Sequence, residues 1–242
     1  MAVTDSAIAS IQGLILSGEL RPGSRLPPEN ELAAQLGIGR SSIREAIKAL
    51  ALIRVVDVRQ GDGTYVTSLE PHLLLEGVGF AIDLVQDSSM LEVAEVRRLF
   101  EPVATGLAAD RIGDETLDRL YAHVEGMERA GDDQERLVHF DQLFHSTVYE
   151  AAGNPTLASI LDGLSSQTVR GRIWRGVVEG AAAAQTLREH RAIYDALAMH
   201  DRPLAEAVAL IHVHTSEQWL RDVLERSQDE QRTTVRRTRG GH

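Results

Sequence analysis

The sequence predicts a mostly α protein: an N-terminal winged helix-turn-helix with a small β-hairpin wing, then an all-α antiparallel helical bundle. Three observations predict it. Leu26 to Leu50, LPPENELAAQLGIGRSSIREAIKAL, keeps a helical apolar spacing on both sides of Gly37-Ile38-Gly39, through Leu32, Ala33 and Leu36 before the turn and Ile43, Ala46, Ile47 and Leu50 after it. Two β-rich runs, Val55 to Arg59 and Thr64 to Thr67, flank Gln60-Gly61-Asp62-Gly63 and so read as a hairpin. From Pro71 to Gln228, helical segments follow one another with turn residues between them and no competing strand pattern.

The chain opens with a short amphipathic helix, Ile8 to Leu20, stopped by Arg21-Pro22-Gly23. The two helices that follow are joined so tightly that they must cross steeply, as in a helix-turn-helix. The second carries Arg40, Ser41, Ser42, Arg44 and Lys48 near its start and along its polar face. That suits a helix whose N-terminal end enters a DNA major groove. Arg40 and Arg44 can each donate a bidentate pair to guanine or hold a phosphate. Ser41 and Ser42 offer hydroxyls to phosphates or to the helix end, and Gly61 at the hairpin tip lets the wing backbone approach a minor groove. For Arg44 the competing reading is a solvated ion pair with Glu45 or Glu31.

A block of about 70 residues leaves room in 242 for a second core. Aromatic residues make up only 4% of the chain, which favours helices packed on small side chains. The absence of cysteine excludes disulfides and thiolate metal sites and makes a reducing cytoplasm the natural compartment. The first ten residues lack a basic region followed by an apolar core, and no apolar run approaches the roughly 20 residues that span a bilayer. A net charge of −11 runs against nucleic-acid binding, yet Arg25 to Arg59 holds six basic residues against four acidic ones. Affinity for DNA depends on the charges that reach phosphates rather than on the chain total. So small a local excess predicts a homodimer placing two heads on one two-fold symmetric site.

The predicted bundle helices are His72 to Asp83, Met90 to Arg111, Asp114 to Ala130, Gln134 to Ala152, Pro155 to Val178, Ala182 to His200 and Pro203 to Gln228. Within HFDQLFH, Asp141 and His145 are spaced i, i+4 and project from one helix face; His190 and His212 lie on two later helices. Apolar neighbours Ile193, Leu197, Val208 and Trp219 turn these imidazoles inward. One carboxylate and three imidazoles converging between helices would suit a divalent ion such as Zn²⁺, Ni²⁺ or Mn²⁺ with positions open to a ligand's oxygens. The plainer reading keeps each histidine as a hydrogen-bonded core or surface residue. No Glu-x-x-His pair occurs, which argues against a di-iron site. His214 lies about 200° round the helix from His212 and cannot share its site. His72, His123, His139 and His200 fit no constellation and are expected on the surface. A metal with an open position would also serve a hydrolase, with Glu189 as its only nearby acid or base. The Arg-rich tail after Gln228 is expected to be disordered.

The head resembles the GntR family of transcription regulators, through I..LI..GEL.PG..LP.E.ELA..LGI.R..IREA...L and G.GTYV in one ungapped frame. That resemblance implies DNA contacts at Arg40, Ser41, Arg44 and Gly61. Two departures stand out. Gly39 replaces the usual Ser or Thr and removes a hydroxyl that caps the helix and touches phosphate, while Pro28 replaces the usual Ser ahead of the Glu. Both substitutes are tolerated at a helix start, so the fold survives while one phosphate contact per head is in doubt.

The remainder, through EVAEVRRLFEPVATGLAADR, D...FH....AAGNP.L and EH..I..AL...D...A......H, is similar to the FCD domain of the FadR subfamily. This implies a metal held by Asp141, His145, His190 and His212, and a small carboxylate effector facing Arg97; a surface i, i+4 pair with Glu101 is the alternative for that arginine. Asn154 is expected to cap the helix begun by Pro155, and Arg170 and Arg172 are candidate effector contacts. The domains implied are 1–69 for DNA, 70–228 for effector and metal, and a 229–242 tail. The function implied is an effector-responsive repressor, with a metal-dependent hydrolase or a ligandless architectural DNA binder as alternatives.

Overall fold

The computed structural model describes residues 3–84, 89–165 and 183–239. Helix α1, Val3–Leu16, begins earlier than the apolar pattern indicates, with Asp5 in its first turn where a carboxylate favours the helix dipole. It stops short of Leu20 because Gly18 turns the chain with φ 80°. Helix α2 is Glu29–Leu36, with Pro28 at its N-cap and Gly37 closing it in the left-handed region, φ 67°, its N–H donating to Ala33. Helix α3, Arg40–Leu52, buries the predicted stripe of Ile43, Ala46, Ile47 and Leu50. Strands β1, Val56–Arg59, and β2, Gly63–Val66, pair antiparallel with Val56 opposite Val66 and Arg59 opposite Gly63. Residues before α2 join this wing: Arg25 bridges Tyr65, and the Leu26 N–H donates to the Thr64 carbonyl at 2.8 Å. One apolar core, including Ala7, Ile11, Leu32, Ile43, Leu50, Val56 and Val66, holds α1, α2, α3 and the wing together.

Two short helices follow, α4 at Pro71–Leu74 and α5 at Glu76–Asp83, where the sequence predicts a single one. The chain divides into compact units at Met1–Gly77 and Val78–His242. The division falls after the expected boundary at residue 69, and Leu73 lines a surface cavity of the head with Arg54, Val66 and Thr67.

The second unit holds α6, Met90–Ala109; α7, Asp114–Ala130; α8, Gln134–Ala151; α9, Pro155–Leu164; α10, Ala183–Ala198; and α11, Arg202–Arg239. Side chains of Asp133 and Asn154 cap α8 and α9 by accepting from the Arg136 and Leu157 N–H groups, as expected for Asn154. Helices α6 and α11 run antiparallel, tied by Arg98–Glu217 at 3.2 Å and Asp110–Arg202 at 3.0 Å. Helices α7 and α8 approach closely at Gly126, where a Cβ would lie 2.5 Å from the Phe140 ring. The core between the helices joins Met90, Leu120, Met127, Leu137, Phe144, Ile193, Leu197 and Leu220.

Helix α11 runs on to Arg239, through the stretch whose composition predicts a disordered tail. Extending an existing helix adds a hydrogen bond for each residue fixed, and no glycine or proline follows Pro203 before Gly240. The second half of the predicted Pro155 to Val178 helix, with Arg170 and Arg172, lies outside the described residues. Among those described, no helix is long and apolar enough to cross a membrane.

Candidate functional site

Three helices bring the histidines together. Helix α8 supplies Asp141 and His145 one turn apart, α10 supplies His190 and α11 supplies His212. All four side chains are buried, His190 completely. Ligating atoms of the three imidazoles lie within 4.8 Å of one another. His190 Nε2 stands 2.8 Å from Asp141 Oδ1 and 3.3 Å from His145 Nε2, and His145 Nε2 stands 3.7 Å from Asp141 Oδ1. Nitrogen and oxygen ligands about 2.0–2.1 Å from a common ion sit roughly 3.0–3.4 Å from each other in octahedral or tetrahedral arrangements. Of the three distances, 3.3 Å falls in that range and 2.8 and 3.7 Å fall a few tenths outside it, so the side chains could hold a divalent ion after small shifts.

The outer nitrogens support the same orientation. His190 Nδ1 donates to the Thr186 carbonyl at 2.9 Å, one turn back along α10, leaving Nε2 as the inward lone pair. His212 Nδ1 donates to Glu189 Oε2 at 3.3 Å. His145 Nδ1 faces Glu101 Oε2 at 3.7 Å. Burial and the neighbouring His190 push the His212 imidazole below its ordinary range, against the pull of Glu189 and Asp141, and so favour the neutral form that ligation requires.

Beside the histidines, Arg97 Nε pairs with Glu101 Oε1 at 2.5 Å, and Ser165 Oγ donates to the same carboxylate oxygen at 3.3 Å. The sequence alternative of a surface Arg97–Glu101 pair is half correct: the pair exists, but both residues are buried. Arg97 Nη2 is enclosed and has no acceptor among the described residues. A buried guanidinium N–H without a partner is costly, so this atom is suited to an oxyanion or a water.

The other expected residues are placed as follows. Arg40, Ser41, Arg44 and Gly61 are all exposed, the first three in the opening turns of α3 and Gly61 at the wing turn with φ 78°. A Cβ on Gly61 would meet nothing within 4 Å, so its backbone conformation rather than crowding requires glycine. Arg44 does pair with a carboxylate, but with Glu29 of α2 at 2.8 Å rather than Glu45 or Glu31. Gly39 caps α3 with no side-chain hydrogen bond, as its missing hydroxyl implies. His214 lies on the exposed side of α11 beside Gln218. Two histidines expected on the surface do more: His123 is half-buried, and His200 reaches back to the Ala109 carbonyl at 2.9 Å, ending α6. Sequence reasoning weighed Glu189 only as an acid or base. Its signal as a partner of His212 was its place beside His190 on a helix facing the His212 helix.

Comparisons with known proteins follow the same twofold division. Residues 4–66 match the model of bacterial regulatory proteins of the gntR family, and residues 92–215 match the FCD domain. The chain is 28% identical over 225 residues to the galactonate operon transcriptional repressor of Escherichia coli K12, covering 91% of this chain and 97% of the relative. It is 31% identical over 206 residues to the HTH-type transcriptional regulator LutR of Bacillus subtilis 168, covering 83% and 93%. Among solved structures, a GntR protein of Streptococcus agalactiae superposes with TM-score 0.64 at 30% identity, covering 89% of this chain and 99% of that one.

Proposed function

We propose, on the premise that this chain belongs to the GntR family of bacterial regulatory proteins and carries an FCD domain, that it is a DNA-binding transcriptional regulator whose operator affinity is set by a small carboxylate bound beside a divalent metal. Its families and relatives are transcriptional regulators, not enzymes, and the hydrolase alternative falls with that. The observation that carries the metal and effector reading is the buried cluster of Asp141, His145, His190 and His212, with the unpartnered Arg97 Nη2 on the neighbouring helix α6.

Those four residues would hold Zn²⁺, Ni²⁺ or Mn²⁺, and such an ion supplies a Lewis-acid position for an oxygen of the effector. Arg97 offers the second contact. Its Nη2 hydrogen bonds an oxyanion while Nε stays engaged with Glu101, so the guanidinium is oriented before the ligand arrives. Small carboxylates supply both contacts, hydroxy carboxylates among them, and galactonate, for which the Escherichia coli relative is named, is a hydroxy carboxylate.

In the head, Arg40 and Arg44 read base edges or phosphates, Ser41 and the uncapped N–H groups of α3 hold phosphate, and the Gly61 turn lays the wing on the minor groove. Residues 1–69 form the DNA-binding domain and residues 70–228 the effector-binding domain, and the placement in the FadR subfamily rests on the FCD resemblance. The protein acts in the cytoplasm as a homodimer, because a head with so small a positive excess gains useful affinity from two half-sites. We assign it as a repressor. Effector and operator affinities are then linked and reciprocal.

The deciding experiment measures bound metal in the purified chain, then titrates hydroxy carboxylates while following affinity for the duplex upstream of its own coding region. The reading expects a stoichiometric divalent ion and an operator affinity altered by about fivefold or more by at least one acid, on the order of usual allosteric couplings. A metal that only staples helices leaves operator affinity unchanged with every acid. For a ligandless architectural binder, His190→Ala removes the metal and no regulatory response changes.

A further inference from the structure

Glu189 sits immediately before His190 on α10, yet it serves a histidine on another helix. Its Oε2 accepts from His212 Nδ1 of α11 at 3.3 Å, while Oε1 accepts from Thr215 Oγ1 and Gln185 Nε2, each at 3.1 Å. The side chain is 11% exposed and His212 only 2%. The Glu189 carboxylate is thus held by three donors, one of them the outer nitrogen of an inward-facing imidazole.

Neutral imidazole carries its proton on either nitrogen, and only the deprotonated one ligates. An isolated imidazole of this kind divides between two tautomers and rotates about χ2. A carboxylate on Nδ1 selects the Nδ1–H tautomer, holds the ring plane and raises the basicity of Nε2. His190 gets the same orientation from its own helix through the Thr186 carbonyl. For His212 the acceptor comes from a different helix, α10.

We infer that Glu189 is the positioning residue of the metal centre: it fixes His212 with Nε2 inward and raises its donor strength, so the dipeptide Glu189–His190 supplies one ligand and orients another. The inference rests on the reading of the histidine cluster as a metal site. It assigns Glu189 no acid–base chemistry.

The test compares full-length wild type, Glu189→Gln, Glu189→Ala and His190→Ala by Zn²⁺ competition against a chromophoric chelator, with the visible spectrum of the Co²⁺ form and the melting temperature of each metal-free protein. Loss of an outer carboxylate partner typically weakens metal affinity about 10- to 100-fold. Glu189→Ala is expected in that range with an altered Co²⁺ spectrum. Glu189→Gln keeps an acceptor for Nδ1–H without the charge and is expected to fall between Ala and wild type. Because Gln is nearly isosteric, it stays informative even where Ala lowers the melting temperature. Zn²⁺ affinity and Co²⁺ spectrum of both variants matching wild type, while His190→Ala loses the ion, overturn the inference and leave the metal centre standing. A wild-type chain that takes up no ion overturns the metal centre itself, and the role of Glu189 with it.

Discussion

Arg97 and Glu101 form an ion pair one turn apart on α6, Nε to Oε1 at 2.5 Å, with 1% and 2% of their side chains exposed. Taking both charges out of water is expensive, and the pair persists because each neutralises the other and Ser165 adds a donor. Arg97→Met removes the guanidinium that pairs with the buried Glu101 carboxylate. The expected cost is about 3–5 kcal/mol, read from urea denaturation of the metal-free chain. The double variant Arg97→Met, Glu101→Met removes both charges and is expected to recover most of that loss. A double variant as unstable as the single one would show that the pair's charges do not govern stability here.

His190 is the most completely enclosed of the cluster, 2.8 Å from Asp141. Its replacement by alanine removes a proposed ligand and opens a void, so bound metal in the purified variant is expected to fall below a tenth of the wild-type amount. Asp141→Asn keeps the volume and loses the charge, and a smaller drop is expected. Elemental analysis of dialysed protein distinguishes the two.

On the head, the Arg44–Glu29 pair ties α3 to α2 while 55% of the arginine side chain remains exposed. Surface pairs of this kind contribute little to folding. Arg44→Ala is therefore expected to leave the melting temperature nearly unchanged. As the loss of one base-edge contact, it is expected to weaken specific operator binding about tenfold to a hundredfold, measured by fluorescence anisotropy at fixed salt. Glu29→Gln frees the guanidinium and is expected to bind at least as tightly as wild type. A threefold weaker Glu29→Gln complex would mean that the carboxylate orients Arg44 for reading.

His123, half-buried on α7, has its imidazole held below the ordinary range by burial, with the charges of Arg119 and His139 adding to the effect. A depressed folded value means that the native state resists protonation while the unfolded chain accepts it. The contribution is present above the unfolded value near 6.5 and is lost as pH falls through the folded one. Melting temperatures of the metal-free chain between pH 7.5 and pH 5 are expected to fall more steeply for wild type than for His123→Gln. Equal slopes would remove His123 from the acid response.

Local pattern made much of this legible. The Gly37 turn was readable because the left-handed C-cap of α2 tolerates few residues, and the stripe of Ile43, Ala46, Ile47 and Leu50 because a helix must bury one face. The break at Leu75 was not readable, since neither glycine nor proline marks it. At the tail, composition reports only how polar a segment is, whereas α11 continues from a helix already anchored by Ala205, Ala209 and Leu220. In the cluster, the i, i+4 spacing of Asp141 and His145 is a local fact, but the carboxylate that faces His212 belongs to Glu189, 23 positions earlier.

By itself the sequence determined the element types, the order of head and bundle along the chain and the identity of the inward-facing histidines, because helical and strand periods and cap chemistry act over a few residues. Tertiary structure alone decided that Arg44 pairs with Glu29, that the Arg97–Glu101 pair is buried rather than exposed, and which acceptor each imidazole's outer nitrogen finds. Those outcomes depend on how neighbouring helices rotate and approach, and packing between distant segments sets that geometry.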